Sequence, residues 1–290
     1  MSAPAVVGVI GGGRMGAGIA HAFLLAGSSV IVVERDAASA DAAAHRVEET
    51  LRRSADRAPG LDAGECAARL RLTTDVGACA NAALVVEAVP EDRVLKEDAL
   101  SRVDEVLSAD AVLASNTSSI SIDDLALARR RPERFLGLHF FNPVPSSALV
   151  EIVRGSATDP TVVDAAREWV ALLGKTPIVV ADSPGFASSR LGVALGLEAI
   201  RMLEERVASA SDIDAAMTLG YRHPVGPLRT TDLVGLDVRL GIAQELAREL
   251  GERFEPPALL RRMVAEGRLG RKSGAGFYDW THPDSPKETR

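Results

Sequence analysis

Six residues limit this chain more than any others: Gly11-Gly12-Gly13-Arg14-Met15-Gly16, a G-x-G-x-x-G run. They follow Val6-Val7-Gly8-Val9-Ile10, a short β-branched stretch that fits a buried parallel strand. Behind Gly16, segment 17–26 carries Ile19, Phe23 and Leu24 at helical spacing, and Gly27 supplies a C′ stop. Val30-Ile31-Val32-Val33 reads as a second strand, with Glu34 at its carboxyl end. Strand, glycine turn, helix and strand make one βαβ unit in about 30 residues. In that context Gly11 permits the tight turn, Gly13 lets the backbone approach a pyrophosphate, and Gly16 lets the helix pack on its strand. The helix N-terminus then turns unpaired N–H groups and its positive dipole end toward phosphates.

Glu34 stands 18 residues beyond Gly16, where an acid accepts hydrogen bonds from the adenosine ribose hydroxyls. A 2′-phosphate there would meet a carboxylate. Unit charges about 4 Å apart, at an effective dielectric of about 20, repel by ~4 kcal/mol before screening. Arg35 offsets part of this, so the expectation is a preference for NAD over NADP.

The alternation continues along the chain. Segments 83–89, 111–115, 135–141, 148–153 and 176–180 read as strands, and 96–107, 122–130 and 160–173 as helices, the last between Pro160 and Gly174. This pattern implies a layered α/β domain with a mostly parallel sheet. After Asp182-Ser183-Pro184-Gly185 the character changes. Segments 191–205, 211–219, 232–250 and 257–265 read as helices, and no strand-like run competes. The expected division is therefore 1–183 and 184–290. Between Asp41 and Leu70 a helical excursion rich in arginine (Arg46, Arg52, Arg53, Arg57, Arg69) separates the second strand from the third.

Composition narrows the partners. A formal net charge of −7 argues against nucleic acid, which needs a cationic field. No apolar run approaches the roughly 18 residues of a membrane span, and the opening Met1-Ser2-Ala3-Pro4-Ala5 lacks the basic region of a signal peptide. Cys66 and Cys79 make neither a disulfide framework nor a zinc cluster, and the five histidines show no ligand spacing, so no metal is expected. Idle thiols fit a reducing cytoplasm.

From Gly11-Gly12-Gly13-Arg14-Met15-Gly16-Ala17-Gly18-Ile19-Ala20 onward the chain resembles the 3-hydroxyacyl-CoA dehydrogenase family. The resemblance runs through Val85-Val86-Glu87-Ala88, Ser115-Asn116-Thr117-Ser118-Ser119, and Gly137-Leu138-His139-Phe140-Phe141-Asn142-Pro143-Val144-Pro145. It continues through Asp182-Ser183-Pro184-Gly185-Phe186, His223-Pro224-Val225-Gly226-Pro227 and Gly274-Ala275-Gly276-Phe277-Tyr278. It implies a Rossmann-like N-terminal domain that binds NAD, and an all-helical C-terminal domain that forms a homodimer and one wall of a substrate cleft. It also implies an acyl-CoA substrate, a place in fatty acid metabolism, and no membrane partner.

The chemistry needs one group to take a hydroxyl proton while hydride leaves the same carbon, and imidazole suits this because its pKa lies near working pH. His139 sits at a strand end, on the edge that ligands occupy in open α/β sheets. A histidine flanked by phenylalanines is by itself more often a core residue; within this motif it matches the catalytic base. Glu151, in Leu149-Val150-Glu151-Ile152-Val153, would be costly to bury unpaired. The resemblance makes it the group that orients His139, against the plain reading of an edge-strand carboxylate facing water. Ser118 matches the serine that hydrogen-bonds the reacting oxygen, although a helix cap before Asp123 and Asp124 is the plainer reading. Asn116 matches a neighbour of the nicotinamide. Glu91 and Lys96 match positions touching the cofactor's ribose and nicotinamide side; a solvated helix start is the alternative. Arg14 and Met15 belong with Gly11, Gly13, Gly16 and Glu34 to the cofactor set.

Ser189 departs from the pattern, because the family places asparagine there. A hydroxyl is shorter and lacks the amide's paired donor and acceptor, so the acyl preference is expected to differ. The excursion does not match the family's lysine-bearing hairpin, which leaves room for an acyl-carrier-protein substrate or a free hydroxy or sugar acid. A nucleotide-binding protein without turnover is the reading from another class.

Overall fold

The computed structural model describes residues 2–282 and, as backbone, 287–288. Its contacts divide the chain between Ser183 and Pro184. In the first unit, short aliphatic runs become strands and the amphipathic stretches between them become helices. The order is β1 (Val6–Ile10), α1 (Arg14–Leu25), β2 (Ser29–Val33), α2 (Ala37–Ala55), α3 (Ala63–Ala67), β3 (Leu70–Thr73), β4 (Leu84–Glu87) and α4 (Arg93–Asp104). It continues with β5 (Val112–Ser115), α5 (Ile122–Ala126), β6 (Phe135–Phe140), β7 (Leu149–Arg154), α6 (Pro160–Leu172) and β8 (Thr176–Ala181). One sheet holds all eight strands in the order β3-β2-β1-β4-β5-β6-β7-β8. Every neighbouring pair is parallel except β6 and β7. β1, β2, β4, β5, β6 and β7 are buried along nearly their whole length, as expected of strands covered on both faces. Each Val, Leu, Ile or Phe enclosed this way contributes roughly 1.5–3 kcal/mol relative to exposure.

The sequence reading missed β3. Leu70-Arg71-Leu72-Thr73 is an edge strand, only partly buried and carrying an arginine, so it reads as a continuation of the Arg-rich helices before it. The excursion therefore lies in the β2–β3 crossover as α2 and α3. His21, on α1, bridges to α2 through Ser54 (Nε2 to Oγ, 2.9 Å), and burial pushes its pKa down to about 4. It is a packing residue.

The second unit contains α7 (Ser188–Glu204), α8 (Ala210–Ala215), α9 (Pro227–Val234), α10 (Leu236–Leu250) and α11 (Ala258–Ala265). They enclose a core that includes Leu197, Ile200, Leu228, Leu246, Leu260 and Trp280. The unit is helical, as expected, with one short ladder in which β9 (Tyr278–Asp279) pairs antiparallel with β10 (Lys287–Glu288). One expectation differs: the helix read over 232–250 is broken at Gly235, whose φ of +107° no helix tolerates, and α9 begins earlier, at Pro227.

The Gly226-Pro227 step has a physical reason. Gly226 caps α9 with no side chain of its own, and Asp214, 6% exposed, supplies the carboxylate instead. It accepts from the N–H groups of Leu228 (2.8 Å) and Arg229 (2.9 Å) and from the Tyr278 hydroxyl (2.8 Å). A Cβ on residue 226 would lie 2.2 Å from Asp214 Cγ, so only glycine fits. Asp214→Ala removes the cap, leaves the buried Leu228 N–H without its carboxylate and takes from the Tyr278 hydroxyl one of its acceptors, Ala210 O at 3.1 Å remaining, so it is expected to destabilise the protein by about 2–4 kcal/mol. Urea unfolding checks this: a loss below about 0.5 kcal/mol, the usual range of a surface change, would contradict it.

Candidate active site

β1 ends at Ile10, and Gly11 (φ +92°) turns the chain with its N–H on Val33 O at 2.9 Å. A Cβ on Gly16 would lie 1.7 Å from Gly11 O, so α1 packs on the turn with no room for a side chain. Gly13, the N-cap of α1, behaves differently: a Cβ there meets nothing within 4 Å, no side chain caps it, and the first turn carries no acid. The helix end is open and positively polarised. Arg14 is exposed and Met15 half-buried just behind it. Glu34 Oε1 accepts from Gly12 N at 2.6 Å and Oε2 from Arg35 N at 3.2 Å, which sets a carboxylate at the edge of the turn. Arg46 Nη1 donates to Gly12 O at 3.3 Å. An open helix end flanked by a carboxylate fits a dinucleotide, phosphates on the turn and ribose on the acid.

The parallel register carries this edge across the sheet, pairing Ile10 with Glu87, Glu87 with Ser115, and Ser115 with Gly137. Glu87, fully buried, closes β4. Its Oε1 accepts from Val89 N (2.7 Å) and Lys96 Nζ (2.8 Å), and its Oε2 from Ser115 Oγ (2.5 Å) and Lys96 Nζ (3.1 Å). Lys96 is only 1% exposed, so its setting is not a solvated helix start; the ammonium also reaches Val89 O and Glu91 Oε2, each at 3.2 Å.

Glu91 gathers the loop after β5. Its Oε1 accepts from Thr117 Oγ1 (2.6 Å), Ser118 N (2.8 Å), Ser119 N and Oγ (3.0 Å each) and Ser118 Oγ (3.2 Å). Burial raises the Glu91 carboxyl, but Lys96 and these donors more than reverse that and hold it below the ordinary carboxylate range. Ser118 is tied to Glu91 rather than acting as a helix cap; the capping side chain of α5 is Ser121. Asn116 Oδ1 accepts from Phe140 N at 2.9 Å, which docks the loop onto β6 beside His139.

β6 and β7 set His139 opposite Glu151 in register. Nδ1 of His139 lies 2.7 Å from Glu151 Oε2, with Glu151 fully buried and His139 7% exposed. The ring also meets Phe141, centroids 4.5 Å apart. An ionised carboxylate only accepts, so with Glu151 ionised this bond requires the proton on Nδ1. Ser189 is the second residue of α7, in the other unit. The structure thus gathers His139, Glu151, Ser118, Asn116, Glu91 and Lys96 on one sheet edge with the glycine turn and Glu34. Glu87, Ser115 and Thr117, which the sequence does not single out as candidates, join this arrangement through their hydrogen bonds. Leu84-Val85-Val86-Glu87 held the same signal that marked Glu151, an acid ending an apolar strand.

The family profile described as "3-hydroxyacyl-CoA dehydrogenase, NAD binding domain" matches residues 6–183, and "3-hydroxyacyl-CoA dehydrogenase, C-terminal domain" matches residues 185–280. The chain is 43% identical over 279 residues to the 3-hydroxybutyryl-CoA dehydrogenase of Mycobacterium tuberculosis, covering 94% of this chain and 98% of that protein. It is 41% identical over 275 residues to a probable 3-hydroxybutyryl-CoA dehydrogenase of Deinococcus radiodurans, covering 94% and 99%. Its structure is similar to that of (S)-3-hydroxybutyryl-CoA dehydrogenase from Ralstonia eutropha, with a TM-score of 0.92, 38% identity, and coverage of 96% of this chain and 100% of that one.

Two glycine substitutions separate fold from binding. Gly13→Ala has open space and an ordinary φ of −62°, so the protein stays folded while the added methyl weakens NADH binding about tenfold or more. Gly16→Ala collides with Gly11 O and lowers the thermal midpoint as well. Calorimetry and an NADH titration check both. Unchanged NADH affinity in Gly13→Ala would contradict the assignment of the turn.

Proposed function

Because the chain belongs to the 3-hydroxyacyl-CoA dehydrogenase family, we propose that it interconverts 3-hydroxyacyl thioesters, 3-hydroxybutyryl-CoA foremost, with their 3-keto partners. NAD, when bound, supplies the hydride acceptor or donor. The observation that carries the reading is the His139–Glu151 pair on the sheet edge that also holds the glycine turn.

Each residue then has a task. Glu151 accepts from Nδ1–H, which leaves Nε2 to take the hydroxyl proton as general base. The imidazolium that results still faces the carboxylate, which stabilises it. Burial of both groups strengthens that interaction over its value in water. Ser118, held by Glu91, donates to the reacting oxygen, and Asn116 stands beside the nicotinamide. Gly11, Gly13 and Gly16, with Arg14 and Met15, bind the phosphates, and Glu34 holds the adenosine ribose. Glu91 and Lys96 belong to the side of the nicotinamide ribose.

Ser189 is assigned to substrate recognition on the family resemblance alone. Its hydroxyl, together with the Arg-rich face of α2, favours a second reading in which the acyl group arrives on a carrier protein or as a free hydroxy acid. The second unit is assigned to homodimer formation, and the enzyme to the cytoplasm, where thioester and NAD pools meet.

A panel pairing NAD or NADP with CoA-bound, carrier-bound and free hydroxy acids tests the substrate. The CoA thioester with NAD is expected to turn over fastest. His139→Ala is expected to lose about 10²–10⁴ in turnover while NADH still binds. Wild-type rates in that variant would overturn the site. Tight NADH binding without turnover on any donor would overturn the activity.

A further inference from the structure

Three charged side chains meet between β4 and α4, and only one reaches solvent: Glu87 is 0%, Lys96 1% and Glu91 36% exposed. Removing Glu87 and Lys96 from water costs several kcal/mol per ion before their attraction is counted. Apolar side chains of similar volume would join the strand to the helix as well or better. Stability therefore gives no reason for the pair.

Its connections give one. Ser115 Oγ donates to Glu87 Oε2 at 2.5 Å and receives Thr117 N–H at 3.2 Å. Lys96 bridges Glu87 and Glu91, and Glu91 Oε1 collects the donors of Thr117, Ser118 and Ser119. Glu87 thus reaches this loop along two routes, one through Ser115 and one through Lys96 and Glu91. Without the Glu87 carboxylate, the whole ammonium charge would fall on Glu91 and draw it from the loop amides.

We propose that Glu87 is a positioning residue for the reaction, acting through Lys96 and Ser115 to fix the loop that carries Asn116 and Ser118 beside His139. The proposal rests on the dehydrogenase reading for its kinetic consequence, but not for its structural one.

The test is Glu87→Gln, which keeps side-chain volume and an acceptor for Ser115 and leaves Lys96 and Glu91 in place. Amide hydrogen exchange at Ser118 and Ser119 is expected to accelerate, kcat to fall about 10–100-fold, and the NADH dissociation constant to stay within about threefold. A folded variant with parental exchange and kcat would overturn the proposal. So would a loss of NADH affinity of about tenfold or more at unchanged kcat and exchange, because Glu87 would then act on the cofactor rather than on the loop. If Glu87→Gln does not fold, Glu87→Leu with Lys96→Met, which leaves no unpaired buried charge, is judged by hydrogen exchange at Ser118 and Ser119 alone, and parental exchange there overturns the proposal. A parent without turnover on any thioester sinks the activity reading, and hydrogen exchange still decides the positioning role.

Discussion

The rest of the site depends on one pairing, β6 against β7, the single antiparallel contact among the neighbours of the main sheet. Residues directly opposite in an antiparallel pair project to the same face with Cβ atoms about 4.5–5.5 Å apart. That is close enough for an imidazole and a carboxylate to share a hydrogen bond without backbone adjustment. Here His139 and Glu151 are those residues. Glu151 is fully buried, so its carboxylate depends on the partners that its position dictates. A slip of one residue would send Glu151 to the opposite face and leave an unpaired buried charge. The register is therefore enforced by the same interaction that orients the ring.

The parallel part of the sheet does the complementary work. Because β1, β4, β5 and β6 run the same way and in register, their carboxyl ends fall on one edge, at the point where the strand order reverses between β1 and β4. The glycine turn, Glu87, the Asn116–Ser119 loop and His139 come together there. What differs from strand to strand is how each end is secured. The turn relies on absent side chains, the loop on a carboxylate that collects its donors, and the His139 ring on a partner across the ladder.

Much of this was legible beforehand, and the reasons are specific. The glycine spacing, the apolar strand before it and the acid after it each carry a steric or electrostatic demand that few other arrangements meet. His139 and Glu151 could be placed on adjacent strands because both lie in apolar runs bounded by turn residues. β3 could not be found, since an edge strand with an arginine lacks the burial that gives inner strands their pattern. The break at Gly235 was hidden because helical periodicity resumes directly after it. Glu87 stands in a stretch that carries the resemblance but has no role legible in the sequence, because its partners, Lys96 and Ser115, come from two other elements that only the fold assembles. The turn was readable because its logic is local, and the ion cluster was not because its logic is tertiary.

In the proposed reaction Glu151 holds His139 with the proton on Nδ1, leaving Nε2 as the base. Nitrogen-15 NMR of the labelled His139 ring, at a pH where the ring is neutral, reads this directly. The expected result is a single Nδ1–H tautomer in the parent protein, giving way to a mixture of tautomers in Glu151→Ala. A parent ring protonated on Nε2, or one whose tautomer is indifferent to residue 151, would contradict it.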